Sequence, residues 1–162
     1  MARRCLAYQR RPVEAPFWLL PPSKSVPAAV IVPIWLLEGA DPAKVSATQE
    51  GDAIRVEVTK VDVPAMVMQV HPLQEGATYT LRFRARANRP RRIKLTGQQI
   101  VQPDFPNIGL AETVPLTQQW QTYRYTFTAK KVAPRNAIPN FLLGQETGTV
   151  WLADVSLTKG VR

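Results

Sequence analysis

The sequence predicts an all-β chain folded as a two-sheet sandwich, and three observations predict it. From about Pro33 onward apolar residues recur with period two, which puts successive side chains on opposite faces of a strand. Turn-forming groups separate these runs: Gln74-Glu-Gly76, Asn88-Arg-Pro90 and the stretch from Gly144 to Gly148. No segment with the period of an amphipathic helix stands out, so a second sheet is left to cover the first.

The elements follow in chain order. Residues 1–32 hold scattered arginines and Pro12, Pro16, Pro21, Pro22 and Pro27 with no regular period, and read as irregular chain or linker. The domain is expected to run from 33 to 162. Ile54-Arg-Val-Glu-Val58 alternates as a strand, and Ala65-Met-Val-Met-Gln-Val-His71 is read as the next. The clearest strand is Ala77 to Ala87. Tyr79, Leu81, Phe83, Ala85 and Ala87 share one face, and Thr78, Thr80, Arg82, Arg84 and Arg86 share the other. Arg92-Ile-Lys-Leu-Thr-Gly-Gln98, Tyr123-Arg-Tyr-Thr-Phe127, Asn140-Phe-Leu-Leu143 and Trp151-Leu-Ala-Asp-Val-Ser-Leu157 complete the set. Gly76 suits a turn needing positive φ. Tyr79, Phe83, Trp120, Tyr123, Tyr125, Phe127 and Trp151 lie on or beside the apolar rhythm and are the aromatic core candidates.

Composition narrows the function classes. A chain of 162 residues is about one domain and hides roughly two-thirds of its unfolded surface. The single cysteine, Cys5, excludes an internal disulfide and a Cys-rich zinc site. The longest apolar stretch, Val26 to Leu37, is too short to span a bilayer, and Pro27 and Pro33 argue against a secretory h-region there. The net charge of +9 divides into +4 over residues 1–30 and +5 over the rest, and in the second part the basic residues cluster in one run, Arg82 to Lys94, which also contains Arg84, Arg86, Arg89, Arg91 and Arg92. Such a run grips an anionic polymer or is the solvated face of one strand and its turn; the second reading is the simpler one, and nucleic acid is not the expected partner.

Enzyme chemistry needs a constellation, and none is marked. His71 is the one histidine, and no nucleophile-elbow motif surrounds any serine. A lone histidine with scattered acids is no metal site. No local motif pairs two carboxylates for glycoside hydrolysis, and no glycine-rich loop cradles phosphate.

Three segments carry a resemblance. Leu73-Gln-Glu-Gly-Ala-Thr-Tyr-Thr-Leu-Arg-Phe-Arg-Ala-Arg-Ala87 is similar to a strand signature of carbohydrate-binding modules of families four, nine and twenty-two. Leu116-Thr-Gln-Gln-Trp-Gln-Thr-Tyr-Arg-Tyr-Thr-Phe-Thr128 resembles a second strand of that group. Phe141-Leu-Leu-Gly144 with Gly148-Thr-Val-Trp-Leu-Ala-Asp-Val-Ser-Leu157 resembles its closing segment. In order, over about Trp35 to Leu157, they imply a galactose-binding-like jelly roll. The implied function is non-catalytic binding of a polysaccharide of β-glucan or xylan type, outside the cell or at its surface, beside a linked glycoside hydrolase. Competing readings are a degenerate module serving as a structural or protein-interaction domain, and an anionic-polymer binder using the arginine-rich strand.

The resemblance also implies a site. It puts Gln69 at a groove amide position, with Val67 and His71 sharing its face by period two. Lys94 takes a groove basic position and Gln98 or Gln99 a neighbouring amide position. Asp104 or Phe105 falls at an aromatic platform, and Asn140 joins the set from the strand in which Leu142 replaces the family's amide. Two departures stand out. Glu38 occupies an aromatic position and the usual opening strand is unrecognisable upstream, so it is missing, altered or built from Val26 to Ile31. The structural calcium of some members uses an acid where this chain has Ala153, with only Asp154 kept, so no cofactor is expected.

Overall fold

The structure, a computed structural model, describes residues 36–38 (as backbone), 44–61, 65–100 and 104–160. The irregular segment 1–32, the boundary near Pro33, Cys5, Trp35 and the Val26–Ile31 alternative for the opening strand lie outside the described residues. The described residues form ten strands: β1 Leu36–Glu38, β2 Val45–Glu50, β3 Ala53–Val58, β4 Met66–His71, β5 Thr78–Ala87, β6 Arg91–Gln99, β7 Asn107–Leu116, β8 Gln121–Thr128, β9 Asn136–Leu142 and β10 Gly148–Lys159. They form two five-stranded antiparallel sheets, a jelly-roll sandwich without helix among the described residues. Sheet I has the order β1-β4-β9-β6-β7 and sheet II the order β2-β3-β10-β5-β8.

Alternation decides what each strand buries. On sheet II, Val56, Leu81, Phe83, Ala85, Val150 and Leu152 point inward and are fully buried. Val67, Ile93, Leu95, Ile108, Val114 and Phe141 do the same from sheet I. The sheets meet where Phe83 stands edge-on to Phe141, ring centroids 4.9 Å apart, an arrangement favoured by the ring quadrupoles. Tyr79 and Phe127 stack beside them, and Tyr123 and Tyr125 pack half-buried against Phe83.

Two of the aromatic core candidates are not in this core. Trp151 lies between the inward-facing Val150 and Leu152, so alternation turns its indole to the outer face of sheet II. Trp120 precedes β8, and its ring is covered by the guanidiniums of Arg84 and Arg86 at 4.9 and 5.4 Å, on that same outer face. Both indoles are half-buried by cations rather than by apolar packing.

Irregularities in sheet I cluster at one end. Between Asn140 and Ala137, β9 has two residues where β4 has only Gln69 and β6 only Gly97, so a bulge at Ile138–Pro139 faces both neighbours. Proline, which cannot donate to the ladder, is tolerated in a central strand at such a bulge. Across from it, β7 bulges at Gly109, whose φ of +113° brings its backbone against Thr128; a Cβ there would lie 2.3 Å from the Thr128 carbonyl oxygen.

Candidate functional site

The outer face of sheet I is built by register. One row across the sheet holds Glu38, Met66, Leu142, Lys94 and Thr113 as successive strand partners. The next holds Leu36, Met68, Asn140, Thr96 and Ala111. On β6 the inward residues are Ile93, Leu95 and Gly97, whose missing Cβ would meet Ile108 and Ile138, so Arg92, Lys94, Thr96 and Gln98 project the other way. Lys94 and Arg92 are exposed, Met66, Leu142, Thr96 and Gln98 half-buried, and Met68 buried.

The floor of this face is polar and unsatisfied. Asn140 is 0% exposed, yet its Oδ1 has no hydrogen-bond partner among the described residues, and neither does the buried Oγ1 of its strand partner Thr96. The Asn140 amide nitrogen reaches only the Met66 sulfur, at 3.9 Å, a weak acceptor. Buried polar atoms are almost always paired, and leaving one unpaired costs about 1–3 kcal/mol. Two such atoms lie on neighbouring strands beneath the soft side chains of Met66, Met68 and Leu142, which would have to yield before a ligand could reach them.

The expected site residues divide. Lys94, Gln98 and Asn140 belong to this face. Gln69 does not: Val67 and His71 do share its face, as period two requires, but Val67 is fully buried in the core. Gln69 is itself 5% exposed and accepts a hydrogen bond from the ring N–H of His71, Nε2 to Oε1 3.3 Å. Burial holds the His71 imidazole below its ordinary pKa, because the charged form loses hydration there. Gln99 alternates onto the inward side as well and donates its amide to the Lys131 carbonyl. Asp104 and Phe105 lie exposed in the β6–β7 connection, with Phe105 at a φ of +43°. Thr96, Met66 and Met68 were not singled out from sequence, although the alternation around Lys94 already places Thr96 beside it.

The basic run from Arg82 to Lys94 is split by the fold. Arg82, Arg84 and Arg86 leave the outer face of sheet II, while Arg92 and Lys94 leave the outer face of sheet I. Arg91 turns inward, 6% exposed, and donates from Nη2 to the carbonyls of Leu143 and Glu146 at 3.1 and 3.2 Å. It pins the β9–β10 connection and is unavailable to a ligand. Asp154, the acid retained from the calcium pattern, pairs with Arg84 at 2.9 Å, and no group of three or more His, Cys, Asp or Glu converges among the described residues. No helix among the described residues is long and apolar enough to cross a membrane.

Comparison with known proteins agrees with this fold. The profile of the family described as carbohydrate binding domain, of the four and nine type, matches residues 34–148. Among solved structures, a family-four carbohydrate-binding module is 25% identical with a TM-score of 0.69, over 78% of this chain and 87% of that one. The N-terminal cellulose-binding domain of Cellulomonas fimi β-1,4-glucanase C is 24% identical with a TM-score of 0.61, over 79% and 90%. The second N-terminal domain of that enzyme is 21% identical with a TM-score of 0.58, over 79% and 86%. No curated protein matches the sequence.

Proposed function

Because the chain belongs to the carbohydrate-binding domain family of the four and nine type, we propose that it holds a neutral polysaccharide of β-glucan or xylan type across the outer face of sheet I. The observation that carries this is the pair of unpartnered polar atoms, Thr96 Oγ1 and Asn140 Oδ1, side by side in register on that face. Sugar hydroxyls donate and accept at once, so a hydroxyl entering between these strands would satisfy atoms that the folded protein leaves open. Met66, Met68 and Leu142 supply apolar contact for the C–H faces of a sugar ring, and methionine side chains yield enough to admit it. Exposed Lys94 and half-buried Gln98 add donors at the rim. The role is retention: by keeping an associated hydrolytic domain beside its insoluble substrate, outside the cell, the module raises effective concentration without chemistry.

Affinity electrophoresis and calorimetry with soluble β-glucans and xylans test this on the wild type, Thr96→Val and Lys94→Ala. Each lost hydrogen bond should weaken binding about three- to twelvefold, because 0.5–1.5 kcal/mol is what survives competition from water. Wild-type binding that Thr96→Val leaves untouched would remove the site from this face. One observation favours a second reading. The row Met66–Leu142 is apolar where the family resemblance expects an amide, which suits a protein surface. Failure of every glycan, with capture of a protein partner lost on Leu142→Lys, would establish that reading instead.

A further inference from the structure

The outer face of sheet II carries a second charged surface, and we propose that it binds an acidic polysaccharide, one bearing carboxylates along its chain, independently of the face of sheet I. The argument begins with β5. Arg82, Arg84 and Arg86 alternate with the buried Leu81, Phe83 and Ala85, so all three guanidiniums leave the sheet on its solvent side. Register then sets Arg124 of β8 directly opposite Arg82. Like charges in that position repel across the strand pair. Both residues are exposed, and neither makes an ion pair among the described residues.

The acids of this face are already committed. Glu50 and Glu57 pair with Arg55 at 3.4 and 2.9 Å, and Asp154 pairs with Arg84 at 2.9 Å. Arg82, Arg86 and Arg124 are without a carboxylate among the described residues. Arg86 is held over two indoles instead, 4.0 Å from the Trp151 centroid and 5.4 Å from that of Trp120. A guanidinium above an aromatic ring keeps its charge and directs in-plane N–H donors away from the ring. The indoles are therefore a floor that fixes a cation. Two guanidiniums stand within 6 Å of each ring, which favours an anionic ligand over a neutral sugar stacked on the indoles. Arg82 to Arg86 span about 14 Å along the strand, so the matching ligand carries repeated charges rather than one. Membership in a carbohydrate-binding family makes that ligand a glycan.

The test uses native gels of the full chain containing polygalacturonate, its fully methyl-esterified form, or double-stranded DNA. Retardation by polygalacturonate is expected, weakening as salt rises and absent with the ester. The double variant Arg82→Gln/Arg124→Gln should bind roughly tenfold more weakly, since each exposed charge contact is worth a few-fold. Its thermal midpoint should hold or rise, because the substitution removes a repulsion rather than a contact. Equal retardation by the ester, undiminished binding by the double variant, or binding of DNA as tight as that of polygalacturonate would each overturn the proposal. So would a loss seen with Lys94→Gln in place of the double variant, which would put the acidic chain on sheet I. Neutral-glycan binding is read separately through Thr96→Val, so the two assignments fail independently.

Discussion

Thr96→Val should raise stability while lowering affinity, and the opposite signs follow from one atom. The Thr96 hydroxyl is buried without a partner among the described residues, so the folded state bears its desolvation with no bond in return. That cost is about 1–3 kcal/mol for a buried hydroxyl. Valine keeps the β-branched shape and the strand preference of threonine and puts a methyl where the hydroxyl was. Taking the lower end of that range, because the surroundings relax around the new methyl, the net gain is about 1 kcal/mol. For a domain of this size that shifts the midpoint of thermal unfolding upward by roughly 2–4 °C. Glycan affinity should fall three- to twelvefold over the same substitution. Circular dichroism melts and calorimetric titration, run on the same preparations, give both numbers. A variant less stable than wild type by 1 kcal/mol or more would refute the reasoning, since the hydroxyl would then be bonded in the free protein and hold nothing open for a ligand. Unpaired polar atoms kept at a stability cost are what a binding site retains against selection for the fold alone.

Other perturbations read the fold and the faces separately. Phe83→Ala removes the ring that joins the two sheets and should cost about 3–5 kcal/mol in urea unfolding, whereas Trp120→Ala, outside the core, should cost about 1–2 kcal/mol. An equal cost for the two would place Trp120 back in the core. Gly109→Ala puts a Cβ against the Thr128 carbonyl at positive φ, and should destabilise by at least about 1–3 kcal/mol; unchanged stability would mean that the β7 bulge is not as described. Burial lowers the His71 pKa, so between the ordinary value of 6.5 and the lower folded value the unfolded chain binds more protons. The stability contributed by neutral His71 is therefore complete above about 6.5 and is lost as pH falls below it, and His71→Gln should flatten the slope of stability against pH in that window. A slope that persists unchanged in the variant would assign it to other groups.

The sheets were legible where one face of a strand is apolar and the other is not. In β5 and β6 alternation separates Leu81 from Arg82 and Leu95 from Lys94, and the structure keeps both separations. Strands without that contrast were harder to read. The polar β2, the edge strand β7 with Gly109 and Pro115, and the first half of β9, buried on every residue and broken by Pro139, left no period to recognise. The same reason explains Gln69. In Met66-Val-Met-Gln-Val-His71 one face is apolar (Met66, Met68 and Val70) and the other mixed (Val67, Gln69 and His71), a contrast too weak for period two to say which way the mixed group points. Register settles it: Val67 opposes Phe141 and Met68 opposes Asn140, so the residues beside the unpartnered Asn140 Oδ1 are Met66 and Met68. The apolar pair Met66 and Met68 is the one turned away from the core. Methionines on the outer face of a sheet are apolar surface that a ligand can cover, and in the proposed reading of sheet I a sugar ring over Met66 and Met68 is also what satisfies Thr96 and Asn140.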